Sequence, residues 1–116
     1  MGLLFMTEKS RKSIIKIIQH SKQVLEYTKG ISQDEFENNS LVFEAVAFNI
    51  SQIGELAKLV DQQTIDTNKH IDWMAMRGLR NRIVHDYDHV SPSIIWAVIQ
   101  YDLPHLVEDL NKLLEE

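Results

Sequence analysis

Arginine, histidine and tyrosine side chains follow one another at short, fixed spacings in the second half of the chain. Arg80 precedes His85 by five residues, and Tyr87 follows His85 by two. No acidic residue lies between Asp72 and Asp86. A guanidinium binds a phosphate through two donors, and an imidazole donates or accepts a proton near neutral pH. This set of residues suits a reaction at a phosphodiester group.

The reaction that needs only these groups is cleavage of RNA by its own 2′-hydroxyl. A base removes the 2′-OH proton, a cation stabilises the charge on the phosphorane-like transition state, and an acid protonates the leaving 5′-oxygen. Because the nucleophile is already in the substrate, we expect neither a metal nor a cofactor. Arg80 and His85 are the expected catalytic residues, and Arg77 and Arg82 are candidate RNA contacts.

Helical spacing limits what one chain can assemble. Asn81 and His85 are four residues apart and share a helix face, so Asn81 either orients the imidazole or touches the substrate. Arg80 and His85 are five residues apart, which turns them well away from each other on a straight helix. A two-fold dimer with this helix at its axis would place two copies side by side and form a composite cleft.

Structural interpretations compete with the catalytic one. Arg80 could be a surface arginine paired with a nearby acid, and His85 could cap the end of its helix. Asn81 could be a surface amide, and Tyr87 could pack half-buried against the following loop. Glu55 could be a polar group near the site or an ordinary helix-surface acid, and the second interpretation is slightly favoured. The two outer arginines are, somewhat more often than not, solvated charges.

A metal site and an aromatic base-stacking platform are less favoured. The metal ligands would be four side chains around the end of the helix: His85, Asp86, Asp88 and His89. The Ser91-Pro92 pair, a capping serine before a proline at the first helical position, predicts a turn there instead of a continuous helix. Trp73 and Trp96 are expected to anchor the core.

In the rest of the chain, apolar residues recur at helical spacing and few residues that interrupt helices are present. The chain contains only four glycines and two prolines. We predict four helical segments, at about 7–29, 40–60, 71–86 and 91–116, joined by short polar connections. Helices in this order predict an all-α, antiparallel up-and-down four-helix bundle.

Some local features qualify this prediction. The polar stretch 61–69 is expected to be the longest loop. A glycine inside a helix costs roughly 1 kcal/mol relative to alanine, so we expect a close contact or a bend at Gly78. Pro104 is expected to kink or split the last helix. One helical turn is expected near Phe36, and Asp88–Val90 is expected to form a turn.

The length and composition of the chain limit its possible domain organisation and function. The 116 residues are enough for one domain, spanning residues 1–116. The absence of cysteine excludes disulfides and thiol chemistry. The formal net charge of −5 argues against a protein that coats nucleic acid with its whole surface, but it allows a local basic site. With no secretion signal and no apolar run that could span a membrane, we expect a cytoplasmic protein without a membrane partner.

Taken together, the motif and its flanks resemble the HEPN superfamily of small helical ribonuclease domains. The Arg80-Asn81 to His85-x-Tyr87 pattern looks like the version found in HepT-like toxins. The matching flanks are Gln52-Ile53-Gly54-Glu55-Leu56-Ala57, Ile71-Asp72-Trp73, Ser91, Trp96 and Leu103-Pro104-His105-Leu106. The resemblance covers nearly the whole chain in the same order.

The resemblance implies a homodimeric, RNA-cleaving toxin of a toxin–antitoxin pair. Its antitoxin would be a minimal nucleotidyltransferase of the MntA type, which uses ATP to transfer AMP to the motif tyrosine, here Tyr87. By the same resemblance, Arg80 and His85 are the catalytic residues and Asn81 supports them. The alternative is a non-catalytic HEPN dimer that binds a nucleotidyltransferase partner, nucleotide, or both.

Overall fold

The computed structural model describes residues 6–115, and within this range all regular structure is helical. The first five helices are α1 (Glu8–Tyr27), α2 (Gln33–Glu37), α3 (Ser40–Ala57), α4 (Gln62–Thr67) and α5 (Trp73–His85). A short 3-10 turn, Tyr87–His89, then leads into α6 (Pro92–Ala97), a π-helical segment (Val98–Asp102) and α7 (Leu103–Glu115). None of these helices is long and apolar enough to cross a bilayer.

Side-chain caps set the starts of the long helices. Thr7 accepts a hydrogen bond from the backbone N–H of Ser10, Asn39 caps α3, and Asp72 caps α5. Gly30 follows α1 with a φ of 78°, a conformation that favours glycine. These boundaries agree with the predicted segments to within a few residues.

Helix α3 lies at the centre of the packing. It has extensive contacts with α1 on one side and with α5 on the other, and α7 also packs on α1. Its buried stripe includes Val46, Ile50, Ile53 and Ala57, which face the buried isoleucines of α1. The apolar stripe of this helix therefore forms much of the core, and α5 packs directly on the same helix.

The connection before α5 differs from the prediction of a loop over 61–69. It contains α4, whose N-cap Asp61 accepts a hydrogen bond from the backbone N–H of Thr64 at 2.8 Å. The aspartate also accepts a hydrogen bond from Ser10 Oγ at 2.6 Å, which ties α4 to the start of α1. A long-range partner of this kind is invisible in a local polar pattern, so the prediction of a loop was wrong.

The last helical segment changes from α-helix to π-helix just before Pro104. A π-helical segment, Val98–Asp102, comes directly before α7, and Pro104 is the second residue of α7. A π segment shifts the register of a helix. Tyr101, within the π segment, is 72% exposed, whereas Ile99 and Leu103 are buried.

Two smaller features were predicted in part. The helix begins at Pro92 as expected, but Ser91 makes no capping hydrogen bond; its Oγ lies 2.8 Å from Ser93 Oγ. Trp73 is buried, as predicted, and its indole N–H donates to the carbonyl of Asn68 at 3.1 Å. Trp96 packs on Phe36, with ring centroids 5.3 Å apart.

Candidate functional site

The site begins with an unusually close approach between α3 and α5. A Cβ atom placed on Gly54 of α3 would overlap the Cβ of Arg80 and lie 2.7 Å from the carbonyl oxygen of Met76. Only a residue without a side chain allows this approach. By contrast, a Cβ placed on Gly78 would meet nothing within 4 Å of the described chain. The close contact, one of the two alternatives predicted for Gly78, is therefore absent there in the described part of the chain, and a close contact is found at Gly54 instead.

The close approach brings Arg80 beside Glu55. The guanidinium Nε of Arg80 forms an ion pair with Glu55 Oε1. This Nε is buried and lacks an aligned hydrogen bond among residues 6–115, so the contact is electrostatic rather than a well-directed hydrogen bond. Glu55 also pairs with Lys58 at 3.3 Å. The interpretation of Glu55 as an ordinary surface acid was wrong, because it touches the expected catalytic arginine.

Asn81 makes the second contact to the guanidinium. Arg80 Nη1 donates a hydrogen bond to Asn81 Oδ1 at 2.9 Å. In residues 6–115, no hydrogen bond joins Asn81 to His85, although the two share a face of α5. Asn81 therefore supports Arg80 in this structure instead of orienting the imidazole.

His85 is the last residue of α5 and is exposed to solvent. Because α5 is continuous α-helix from Trp73 to His85, five residues of rotation separate Arg80 and His85 by about 140° around its axis. Within the described part of one chain, the arginine faces α3 and the histidine faces solvent. The two side chains are thus carried by one helix but do not form a closed pair.

Tyr87 lies just past the helix end, in the 3-10 turn, and is 40% exposed. Its ring packs edge-on against Phe43, with centroids 5.9 Å apart, and Phe43 in turn packs on Phe36. Partial burial raises the pKa of the Tyr87 phenol, and the negative charges of Glu44 and Asp88 add to this effect. The tyrosine is therefore a packing residue that keeps part of its surface exposed.

The four side chains weighed as metal ligands have other arrangements. His89 Nδ1 lies 2.7 Å from Asp86 Oδ1, so these two residues pair with each other. The chain leaves the helix after His85 and forms the 3-10 turn. Over residues 6–115 there is no group of three or more side chains placed to hold a metal ion.

The outer arginines lie on different sides of α5. Arg77 precedes Arg80 by three residues, so it lies along the same edge of the helix. Arg82 follows Arg80 by two residues and therefore points away from that edge. Of the two candidate RNA contacts, Arg77 is the one placed beside Arg80.

An exposed apolar strip adjoins the site. Leu41, Phe48 and Glu55 follow one another at intervals of seven residues, so they lie along one side of α3. Leu41 and Phe48 are 78% and 61% exposed. Val84, four residues after Arg80, extends the exposed apolar surface onto α5. We call Leu41, Phe48 and Val84 the apolar strip.

Sequence reasoning left out the link between α3 and the arginine. It placed Arg80, Asn81, His85 and Tyr87 together in one stretch, but it did not assign Glu55 to Arg80. The signal was present in the glycine that precedes the glutamate, because a helical glycine often marks a close backbone approach. The distance in sequence between α3 and α5 hid the pairing.

Comparisons with known proteins identify the family of this chain. Residues 17–113 match the family model described as "Ribonuclease HepT-like". The chain is 27% identical over 95 residues to "Putative RNase MJ1380" of Methanocaldococcus jannaschii, covering 82% of this chain and 87% of that protein. It is 24% identical over 107 residues to "Probable ribonuclease HepT" of Thermococcus cleftensis, covering 91% of this chain and 97% of that protein. No solved structure gives a significant match. Since the family model covers most of the sequence, including the whole of α5, this chain belongs to the HepT-like ribonuclease family of the HEPN superfamily.

Proposed function

We propose that this protein is a metal-independent endoribonuclease, the toxin of a toxin–antitoxin pair. The observation that carries the proposal is the arrangement on α5, where Arg80 is held beside Glu55 and Asn81 and an exposed His85 ends the same helix. The names of the relatives, which describe ribonucleases, support the choice of RNA as substrate.

In the proposed reaction the 2′-oxygen of RNA attacks the adjacent phosphorus. His85 accepts or donates a proton, and Arg80 stabilises the negative charge that develops on the phosphoryl oxygens. The P–O5′ bond breaks, the 5′-oxygen takes up a proton, and the products are a 2′,3′-cyclic phosphate and a 5′-hydroxyl. The step balances without a metal, an oxidant or a second substrate.

A homodimer would complete this site. One chain separates Arg80 and His85 by about 140° around α5, so the proposed partner of each arginine is the His85 of a second copy. The apolar strip runs along α3 towards Glu55 and includes Val84, one turn after Arg80 on α5, so it gives a second copy a surface to bury. In this proposal the four long helical segments act as an antiparallel up-and-down bundle whose α3 and α5 face the two-fold axis.

Tyr87 is the proposed point of control. A minimal nucleotidyltransferase of the MntA type would present ATP, the Tyr87 phenol oxygen would attack the α-phosphorus, and pyrophosphate would leave. The exposed fraction of Tyr87 leaves its hydroxyl accessible, and it lies two residues from His85. An adenylate there would block the site and repel the phosphates of RNA. Intact mass should increase in steps of one adenylate on co-expression, and Tyr87→Phe should abolish the increase.

The test of the activity is cleavage of a single-stranded RNA in excess EDTA. Arg80→Ala and His85→Ala should each lower the rate by about 10²- to 10⁴-fold. Arg11→Ala and His70→Ala are matched controls, because both residues are exposed and lie outside α5. Full activity in the Arg80 and His85 variants would show that the assigned site is wrong.

The alternative function is a non-catalytic dimer that docks a nucleotidyltransferase and nucleotide. It is favoured by the ion pair with Glu55, which offsets the charge that Arg80 would offer a phosphate, and by the exposed apolar strip. Absence of RNA cleavage together with intact binding of the nucleotidyltransferase would select this alternative.

A further inference from the structure

We propose that Glu55 is a positioning residue for Arg80, and that Gly54 makes this possible by letting α3 and α5 meet. The proposal rests on the RNA cleavage proposed above, because it assigns Glu55 a role in how Arg80 meets the phosphate. Glu55 itself touches neither RNA nor the reacting atoms. It acts through the guanidinium.

Some N–H groups of Arg80 already have contacts within the chain, and the others are available to a substrate. A guanidinium carries five N–H groups, one on Nε and two on each Nη. The buried Nε atom lies in the ion pair with Glu55 without an aligned hydrogen bond, and one Nη1 group donates to Asn81 Oδ1. Three N–H groups remain for the substrate. The remaining donors are the two N–H groups of Nη2 and the second N–H group of Nη1. They lie in one plane and can bind two phosphoryl oxygens.

The position of Glu55 is itself set by its surroundings. Gly54 brings the backbone of α3 against the first side-chain carbon of Arg80, so the neighbouring carboxylate reaches Nε. Lys58, the C-cap residue just past the end of α3, contacts the same carboxylate oxygen at 3.3 Å. The result is a row of alternating charges, Lys58, Glu55 and Arg80, that runs from α3 to α5.

The negative charge of Glu55 and its effect on the orientation of Arg80 have opposite consequences for the binding and cleavage of RNA. The Glu55 carboxylate lies close to where a phosphate must approach, so it weakens attraction in the ground state. It also holds the guanidinium in one orientation, which lowers the entropy lost when the transition state forms. A positioning role therefore predicts that the loss of Glu55 lowers kcat without raising KM.

The first arm of the test needs no RNA. The Nε–Hε resonance of Arg80 is followed by NMR in ¹⁵N-labelled protein and assigned by its loss in Arg80→Lys. In the wild type we expect a separate, ordered signal with a high heteronuclear NOE. Glu55→Ala should move this signal to the solvent-exposed arginine region and lower its NOE. Glu26→Gln, at an exposed glutamate on α1, is the charge control and should leave it in place.

The second arm measures cleavage of a defined RNA. Glu55→Ala should lower kcat by about tenfold to a hundredfold, with KM unchanged or lower. Glu55→Gln keeps the length and one acceptor oxygen, so its kcat should lie between those of the wild type and Glu55→Ala. Equal thermal stability of the three proteins would exclude a general loss of fold.

The outcomes separate this proposal from the proposed function. An unchanged Arg80 resonance in Glu55→Ala, or a kcat equal to that of Glu26→Gln, would overturn the positioning role. A higher KM with constant kcat would also overturn it, because Glu55 would then act only on binding. If the wild-type protein cuts no RNA, the cleavage proposal fails. The NMR arm then decides alone whether Glu55 orders Arg80.

Discussion

Gly54 and Arg80 lie so close that a single added carbon atom would overlap the arginine side chain. The contact joins two helices that are far apart in sequence. It is made at the residue next to Glu55, which forms an ion pair with Arg80. Packing and the proposed chemistry therefore depend on one position that has no side chain of its own.

Substitution of Gly54 should therefore affect both stability and the site. In Gly54→Ala the new Cβ would meet the Arg80 Cβ and the Met76 carbonyl, neither of which is the free end of a flexible side chain. Helices α3 and α5 must move apart, so we expect a loss of about 1–3 kcal/mol in the free energy of unfolding. Urea denaturation measures this loss, and the Arg80 Nε–Hε signal should shift with it.

Gly78→Ala is the matched control. A Cβ at Gly78 meets nothing within 4 Å of the described chain, and alanine is the better helix former. At a protein concentration where the chain is monomeric, this variant should gain up to about 1 kcal/mol. Similar effects of the two alanine substitutions would contradict the assignment of the close contact to Gly54.

Arg77 should contribute more to RNA binding than Arg82. Arg77 lies on the edge of α5 that carries Arg80, whereas Arg82 points away from it. In Arg77→Gln, RNA affinity should fall, and the slope of log affinity against log salt should decrease by about 0.7 for one lost contact to a single strand. Fluorescence anisotropy with a labelled RNA measures both. A larger change in Arg82→Gln would reverse the assignment.

The Tyr87 phenol should ionise at a higher pH than an exposed tyrosine. Partial burial is the main cause of its raised pKa, followed by the charges of Glu44 and Asp88. The phenol is therefore protonated at neutral pH, and adenylylation would require a base supplied by the transferring enzyme. The phenolate absorbance near 295 nm, taken as the difference between wild type and Tyr87→Phe, reports this titration. Glu44→Gln should lower the midpoint, and an unchanged midpoint would contradict the influence of Glu44.

The sequence predicted more of the fold than of the site. Apolar periodicity located α1, α3 and α5, and the Ser91-Pro92 pair located the start of α6, because these signals are local. The pairing of Arg80 with Glu55, and the choice between Gly54 and Gly78 as the contact glycine, depend on how two distant helices pack. No local pattern contains that information.

The same distinction applies to the end of the chain and to the start of α4. Pro104 predicted a kink or a split in the last helix, but a missing N–H does not specify a π-helical segment before it. Asp61 appeared to be a loop residue because its partner Ser10 lies 51 positions earlier. Local signals identified polar residues there but could not identify the residues that they bind.

Asp61 should make stability depend on pH in the acid range. Burial alone would raise its pKa, but hydrogen bonds from Ser10, Thr64 and Thr7 outweigh burial and lower the pKa from 3.8 to about 2. A carboxylate with a lowered folded-state pKa stabilises the protein above its unfolded pKa, and this contribution is lost as pH falls towards the folded value. Between about pH 4 and pH 2 the free energy of unfolding should fall by roughly 1–2 kcal/mol from this group, after allowance for solvent screening.

Urea denaturation at several pH values tests this effect against Asp61→Asn. Asparagine keeps the N-cap of α4 but cannot ionise, so the variant should be less stable at pH 6 and should approach the wild type near pH 2. Ser10→Ala removes the 2.6 Å hydrogen bond to the carboxylate and should reduce the pH dependence without removing it. If the difference between wild type and Asp61→Asn is constant across this range, Asp61 is not the group responsible, and the tie between α1 and α4 does not depend on its charge.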